Sequence, residues 1–215
     1  FRLVIWVDGE RIVRCEPHIG YLHRGSEKIC ESEHYNQIIT LFDRLDYVGN
    51  LNNELAFCLA SEKIMDIVIP ERAEYIRVIL CELNRIASHM LFYGVYGLDA
   101  GAMTPMLYAF RERERVQEFF ESVTGARLMH NYIRIGGVKE DLPSDFLGRL
   151  KNLLNDLKRG IDECDQLLSQ NEMFLARTKG VGILSAADAV DFGVTGPTLR
   201  ASGVGEDVRV TDSYS

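Results

Sequence analysis

The sequence predicts a mainly α protein, a helical bundle with a small N-terminal β-hairpin, incomplete at both ends. Three observations carry this. Stretches with apolar residues three and four apart follow one another through the middle of the chain. Strand-like alternation is strongest in residues 1–18. One stretch, Arg72 to Pro105, is apolar around most of its circumference, as an interior helix is. The expected organisation is a single domain fragment. It has a hairpin over 1–18, a bundle over 26–171 and an irregular tail over 172–215 that leads into a missing C-terminal half.

Each element has its own signal. Leu3, Ile5 and Val7 alternate with Arg2, Val4 and Trp6. Asp8-Gly9 is a two-residue turn signal, and Arg11 to Cys15 returns until Pro17 ends it. Gly20 and Gly25 bracket a loop with His18, His23 and Arg24. Short helices are expected over Ser26–Cys30 and Tyr35–Leu45, the latter with Ile38, Ile39, Phe42 and Leu45 on one side. Asp46 to Gly49 bends the chain. Asn50 can cap a helix to about Met65, with Leu51, Leu55, Cys58, Leu59 and Glu62 at helical spacing.

The stretch after Pro70 is the centre of the fold. Ile76, Ile79, Leu80, Leu83, Ala87, Met90 and Leu91 make one apolar stripe. Glu82, Arg85 and His89 fall on another face, the pattern of an ionic seam between packed helices. Gly94, Gly97 and Gly101 are expected to break the helix, and Asp99 sits in that glycine-rich exit. There it has two readings, a cap after the turn or a titratable group at a site.

Pro105 suits the first turn of a further helix, which Gly125 stops after Thr124. Its charged middle, RERERVQE, pairs at i,i+3 and i,i+4. Arg127 to Val138 has strand character and a glycine turn. From Ser144 or Asp145 the longest helix is expected to run to about Asn171. Leu147, Leu150, Leu154, Leu157, Ile161, Cys164 and Leu168 form its seam, which suits a bundle core better than an external coiled coil. Ser185 opens a short capped helix in the glycine-rich tail.

Composition excludes several function classes. The chain has 215 residues and a net charge of −8, which argues against a general nucleic-acid surface. Hydrophobic content of 47% makes it globular and not disordered. No run reaches the ~20 apolar residues of a membrane helix. No signal peptide is legible, and both ends read as cuts inside a longer protein. Five widely spaced cysteines, with no CxxC, read as buried free thiols, so no metal is expected on this chain. Phosphate-binding glycine loops, GxSxG and HExxH are absent.

Several long stretches together resemble a known family. They are EPHIGYLHRGSEK, LFDRLDYV, RAEYIRVILCELNRIASHML, LDAGAMTP, FRERERV, YIRIGGVKEDLP and GPTLRASG. In order, and over essentially the whole chain, they are similar to the D subunits of bacterial NADH:quinone oxidoreductase, respiratory complex I. The mitochondrial counterpart is the 49 kDa subunit, and the large subunits of nickel–iron hydrogenases share its ancestry and fold. The absence of CxxC agrees with a relative that has no nickel, since hydrogenase nickel needs two pairs of thiolates.

The resemblance implies a subunit that forms one wall of a quinone cavity. Electrons would come from an iron–sulfur cluster in a neighbouring subunit, and NAD would bind in another. It implies peripheral-arm and membrane-arm partners and a peripheral position on the cytoplasmic face of the bacterial inner membrane. The isolated chain is expected to be inactive. Residue by residue, Tyr47 in FDRLDYV matches a tyrosine that hydrogen-bonds the quinone headgroup. Asp99 in LDAGAMTP matches an aspartate paired with a headgroup histidine, which belongs to a loop just before Phe1. Arg24 in LHRG matches an arginine beside the terminal cluster. In many relatives a cluster-adjacent histidine directly follows Arg-Met; that position is Met129 here, and His130, one later, is carried as the candidate.

The residue types suit the chemistry. Quinone reduction adds two electrons and two protons, so charge develops on carbonyl oxygens. A phenol donor in a dry cavity stabilises that charge, and an arginine beside a cluster favours its reduced form. Two other readings stay open: a metal-bearing hydrogenase large subunit, against which the missing CxxC counts, and a non-catalytic helical assembly module.

Overall fold

Helices follow the apolar stripes through the middle of the chain, and a computed structural model describes residues 1–211. Strands β1 (Arg2–Asp8) and β2 (Arg11–His18) pair antiparallel around a Gly9-Glu10 turn, in which Gly9 takes the left-handed conformation. Trp6 lies opposite Arg14, whose guanidinium stands 4.5 Å from the indole centroid. The pairing runs on through Pro17 to His18. The alternation does not sort the two faces by burial: Leu3, Ile5, Val7, Ile12 and Val13 are all exposed.

After the short α1 (Ser26–Cys30) and α2 (Tyr35–Phe42) come α3 (Asn50–Met65), α4 (Glu71–Asp99) and α5 (Met103–Thr124). Helix α3 ends at Asp66 in the left-handed conformation, and α5 ends at Gly125, also left-handed, as the sequence predicts. The two-residue strands β3 (Ile133–Arg134) and β4 (Gly137–Val138) form a small hairpin, followed by α6 (Phe146–Cys164). One core joins these elements: Leu51, Leu55 and Cys58 from α3, Ile76, Leu80 and Leu83 from α4, Val116, Phe119 and Phe120 from α5, Tyr132 and Ile133, and Leu153 and Leu157 from α6. The predicted mainly α class with a small N-terminal hairpin is the observed one.

Several expectations need correction. Helix α4, with 29 residues, is longer than α6, with 19. Gly94 and Gly97 do not break α4; both are buried inside it. A Cβ on Gly94 would lie 3.1 Å from the Met106 Cα, and one on Gly97 would lie 2.9 Å from the Leu168 side chain. These glycines let α5 and the end of the α6 segment approach α4 closely. Only Gly101, in the left-handed region, marks the exit.

The leucine seam also divides. Phe146, Leu153, Leu157 and Cys164 face the core, whereas Leu147 (73% exposed), Leu154 and Ile161 form a second stripe that faces outward. At Asp165 the helix widens into a π-helical turn to Ser169, so it does not run unbroken to Asn171.

The tail expected to be irregular carries four short helices: α7 (Glu172–Thr178), α8 (Ala186–Asp191), α9 (Gly196–Ala201) and α10 (Val208–Thr211). Asn171 caps α7 by accepting from Met173 and Phe174, and Ser185 caps α8 by accepting from Asp188. Residues 212–215 of the tail lie outside the described residues. Of the five thiols, Cys58, Cys81 and Cys164 are buried, but Cys15 is exposed and Cys30 only half-buried. No helix among the described residues is long and apolar enough to cross a membrane.

Candidate functional site

Tyr47 sits on a tight turn between α2 and α3, and amide side chains from α3 and α4 hold that turn. Asp43 closes α2. The Asp46 carbonyl accepts from the Gly49 amide (3.0 Å) and the Asn53 side chain (3.2 Å). The Val48 carbonyl accepts from Asn84 Nδ2 on α4 (3.2 Å). Asn84 Oδ1 in turn accepts from the Leu51 amide (3.2 Å). A Cβ on Gly49 would meet Asp46 Oδ2 at 2.6 Å, so a larger residue there would push the exposed Asp46 side chain aside. The backbone is thus pinned while the Tyr47 ring stays 57% exposed.

Beneath the turn lies a buried polar cluster. Asp43, Asn50, Glu54 and His130 are each at most 4% exposed. Glu54 accepts from the Tyr132 amide (2.9 Å) and the Ile133 amide (2.7 Å). Burial, then the hydrogen bond to Asp43 and its charge, push the Glu54 carboxyl up to about 9, although those two amides pull the other way. Glu54 is therefore protonated at neutral pH. Asn50 Nδ2 reaches His130 Nδ1 at 2.8 Å, and the imidazole packs against Phe120 with centroids 4.6 Å apart. Burial pushes His130 down to about 4, so the ring is neutral. Among the described residues, Asn50 Oδ1 and His130 Nε2 have no hydrogen-bond partner.

The other sequence-predicted residues lie on separate elements. Asp99 is the last residue of α4 and is exposed. The carbonyl of the next residue, Ala100, accepts from the Arg177 guanidinium of α7. Arg24 is exposed in the loop before α1. No hydrogen bond or ion pair joins any two of Arg24, Tyr47, Asp99 and His130 among the described residues.

The expected ionic seam is not enclosed. Arg85 binds Glu82 at 3.2 Å and Asn52 at 3.1 Å on a half-buried face, and His89 is exposed. Burial and then Arg85 lower the His89 imidazole. Arg85 and His89 border a cavity of about 280 Å³ against α9 and the α10 segment, and Tyr47, Asp99 and Arg24 do not line it.

Sequence reasoning missed Asp43, Glu54, Asn84 and the buried Arg77. It placed Glu62 on the apolar stripe of α3 without giving it a role. A signal was available, because Glu54 lies one helical turn from Leu51 and Cys58 and so shares their inward face.

Comparison with known proteins supplies the family. Residues 99–215 match the family model described as the respiratory-chain NADH dehydrogenase 49 Kd subunit. The D 2 subunit of the NADH-quinone oxidoreductase of Sinorhizobium medicae is 51% identical over 213 residues, covering 99% of this chain and 53% of that relative. The D subunit of the NADH-quinone oxidoreductase of Dehalococcoides mccartyi is 53% identical over 216 residues, covering 100% of this chain and 59% of the relative. Subunit 4 of the NADH-quinone oxidoreductase of Thermus thermophilus is 51% identical over 214 residues, covering 100% and 52%. The chain therefore spans little more than half the length of these relatives. A mainly α core, long motifs that run in order along the chain and half-identical relatives over its whole length converge on one conclusion: the chain belongs to the 49 kDa subunit family of the respiratory-chain NADH dehydrogenase.

Proposed function

We propose that this chain forms part of the wall of a quinone cavity in an NADH:quinone oxidoreductase, with Tyr47 and Asp99 at the headgroup. The observation that carries this is the Tyr47 turn. Its backbone is fixed by the side-chain amides of buried Asn84 and half-buried Asn53, yet Tyr47 itself is exposed, and its hydroxyl has no partner among the described residues. A core tyrosine would bury its ring and satisfy its hydroxyl, as Tyr132 does on the Glu140 carbonyl at 2.5 Å. A phenol fixed at its root and free at its tip suits a ligand that arrives from outside the described chain.

In this reading the quinone takes two electrons from an iron–sulfur cluster in a partner subunit and two protons, giving a quinol. Tyr47 donates a hydrogen bond to a carbonyl oxygen as negative charge builds there. Asp99, at the open end of α4, holds a headgroup histidine supplied by chain that precedes Phe1, accepting from one ring nitrogen and so orienting the imidazole. Arg24 lies toward the cluster and favours its reduced state. His130 is the second candidate toward the cluster, but its burial against Phe120 makes it a structural neighbour of the Tyr47 turn. The chain sits peripherally on the cytoplasmic face of the inner membrane, among peripheral-arm and membrane-arm partners.

Two measurements test this. Asp99→Asn keeps the shape and removes the charge, the loss of a charge-assisted hydrogen bond worth about 1.5 kcal/mol or more. Quinone turnover is expected to fall about tenfold while NADH:ferricyanide turnover in the same membranes holds. Unchanged quinone turnover would remove Asp99 from the site. Arg24→Met deletes a positive charge at similar length. The partner cluster should become harder to reduce, and a redox titration of the intact complex that finds an unmoved potential would contradict the placement of Arg24.

A further inference from the structure

We infer that Asp43 and Glu54 are the positioning residues of Tyr47: these two buried carboxyls share one proton, and that shared proton locks the Tyr47 turn onto α3. The inference rests on the role of Tyr47 proposed above.

The geometry begins with Asp43. It ends α2 and leads into the turn, so its side chain sits at the root of the segment that carries Tyr47. Glu54 lies one turn into α3 and is fully buried. Both carboxyls reach the same Asn50 amide nitrogen, so they lie side by side in a dry site where two ionised carboxylates would repel; one carries a proton.

The other groups facing the pair are all uncharged. From α3 they are the Asn50 amide, which reaches Asp43 Oδ1 at 3.4 Å and Glu54 Oε1 at 3.5 Å, and the Cys58 thiol. From α4 it is the Cys81 thiol, and from the segment before β3 they are neutral His130 and the Tyr132 and Ile133 amides. The buried guanidinium of Arg77 is engaged by Glu62. The shared proton is therefore what makes one buried negative charge tolerable where two would repel. Its loss drives Asp43 away from Glu54 and loosens the turn at its root.

Sign and window follow from the raised Glu54 value. Between the ordinary carboxyl value of 4.5 and about 9, the folded chain holds a proton that the unfolded chain has released. The lock is complete at low pH and is lost as pH rises through about 9.

The test uses the intact complex. Infrared difference spectra in water and heavy water should show a protonated-carboxyl band at neutral pH that Glu54→Gln removes and that Asp43→Asn shifts in frequency. A band that survives Glu54→Gln, or that Asp43→Asn leaves unmoved, overturns the shared proton. In parent membranes the ratio of quinone to ferricyanide turnover should fall above about pH 9, by up to about tenfold per pH unit for a single ionisation. A glutamine at 54 donates to Asp43 at every pH, so in Glu54→Gln the fall should move upward by about one pH unit or more. A fall at the parent's position overturns the lock. Should Glu54→Gln not assemble, Asp43→Asn carries both measurements. Tyr47→Phe separates this idea from the reading on which it rests: full quinone turnover in that variant would end the role of Tyr47, whereas the infrared band would still report the proton pair.

Discussion

Arg77→Ala is expected to destabilise the folded chain by about 3–5 kcal/mol, the cost of leaving one half of a buried ion pair alone. Arg77 is 2% exposed and makes two bonds to Glu62, at 3.0 and 2.6 Å. Its Nε and one terminal nitrogen donate to the Gly137 carbonyl at 3.1 and 2.9 Å, and that nitrogen also donates to the Arg134 carbonyl at 2.7 Å. Glu62 in turn accepts from the Gly136 amide at 2.7 Å. One guanidinium thus ties α4 to α3 and to the β3–β4 hairpin. Alanine would strand a buried carboxylate and two carbonyls.

Denaturant melting of the variant against the parent, with the yield of assembled complex beside it, measures the loss. Arg77→Met with Glu62→Leu should recover part of it, because an apolar pair of similar volume removes the stranded charge. A change within about 0.5 kcal/mol, the size of an ordinary surface substitution, would mean that the pair contributes nothing.

The same pair shows what a sequence does and does not reveal about this fold. Helical periodicity located α3, α4 and α5, and a glycine at 125 marked a true helix end. Each of these signals is local, set by residues within one or two turns. Whether Gly94 ends a helix or admits a neighbour depends on where Met106 and Ala109 come to lie, which no local pattern contains. The heptad seam of α6 likewise could not say that Leu147, Leu154 and Ile161 would face outward, since that depends on how α4 and α5 cover the helix.

The charged groups were hardest to place. Glu82, Arg85 and His89 stood out by spacing and proved half-buried or exposed. Arg77, Glu54 and Asp43 attracted no attention and are the buried ones. A buried polar or charged group is tolerated only when its partner arrives, and here the partners come from 15 residues away for Arg77 with Glu62 and from a chain segment 78 residues away for Glu54 with Tyr132. The Tyr47 turn was marked by a family motif and not by periodicity. Its physical distinction, a pinned backbone under a free ring, appears only once Asn84 and Asn53 are in place.

Tyr47→Phe is expected to cut quinone reduction by about 10²–10³-fold, the usual cost of removing one donor to a developing oxyanion, with the upper figure reached only if proton-coupled chemistry limits turnover. The substitution keeps the ring and its packing. Because the hydroxyl has no partner among the described residues, no internal hydrogen bond is lost with it, and the turn should stay pinned by Asn53 on Asp46 and Asn84 on Val48. Assembly should therefore be unaffected, and oxidation of NADH with water-soluble ferricyanide should continue at the parental rate. The apparent affinity for quinone should weaken as well, since the lost donor also contacts the ground state. Membranes carrying Tyr47→Phe, assayed for NADH:quinone and NADH:ferricyanide turnover side by side, decide between three outcomes. A selective loss of quinone turnover places the phenol at the headgroup. Equal losses in both assays mean that the ring is needed for assembly. No loss in either means that the exposed ring packs against a partner subunit, and that its hydroxyl takes no part in the reaction.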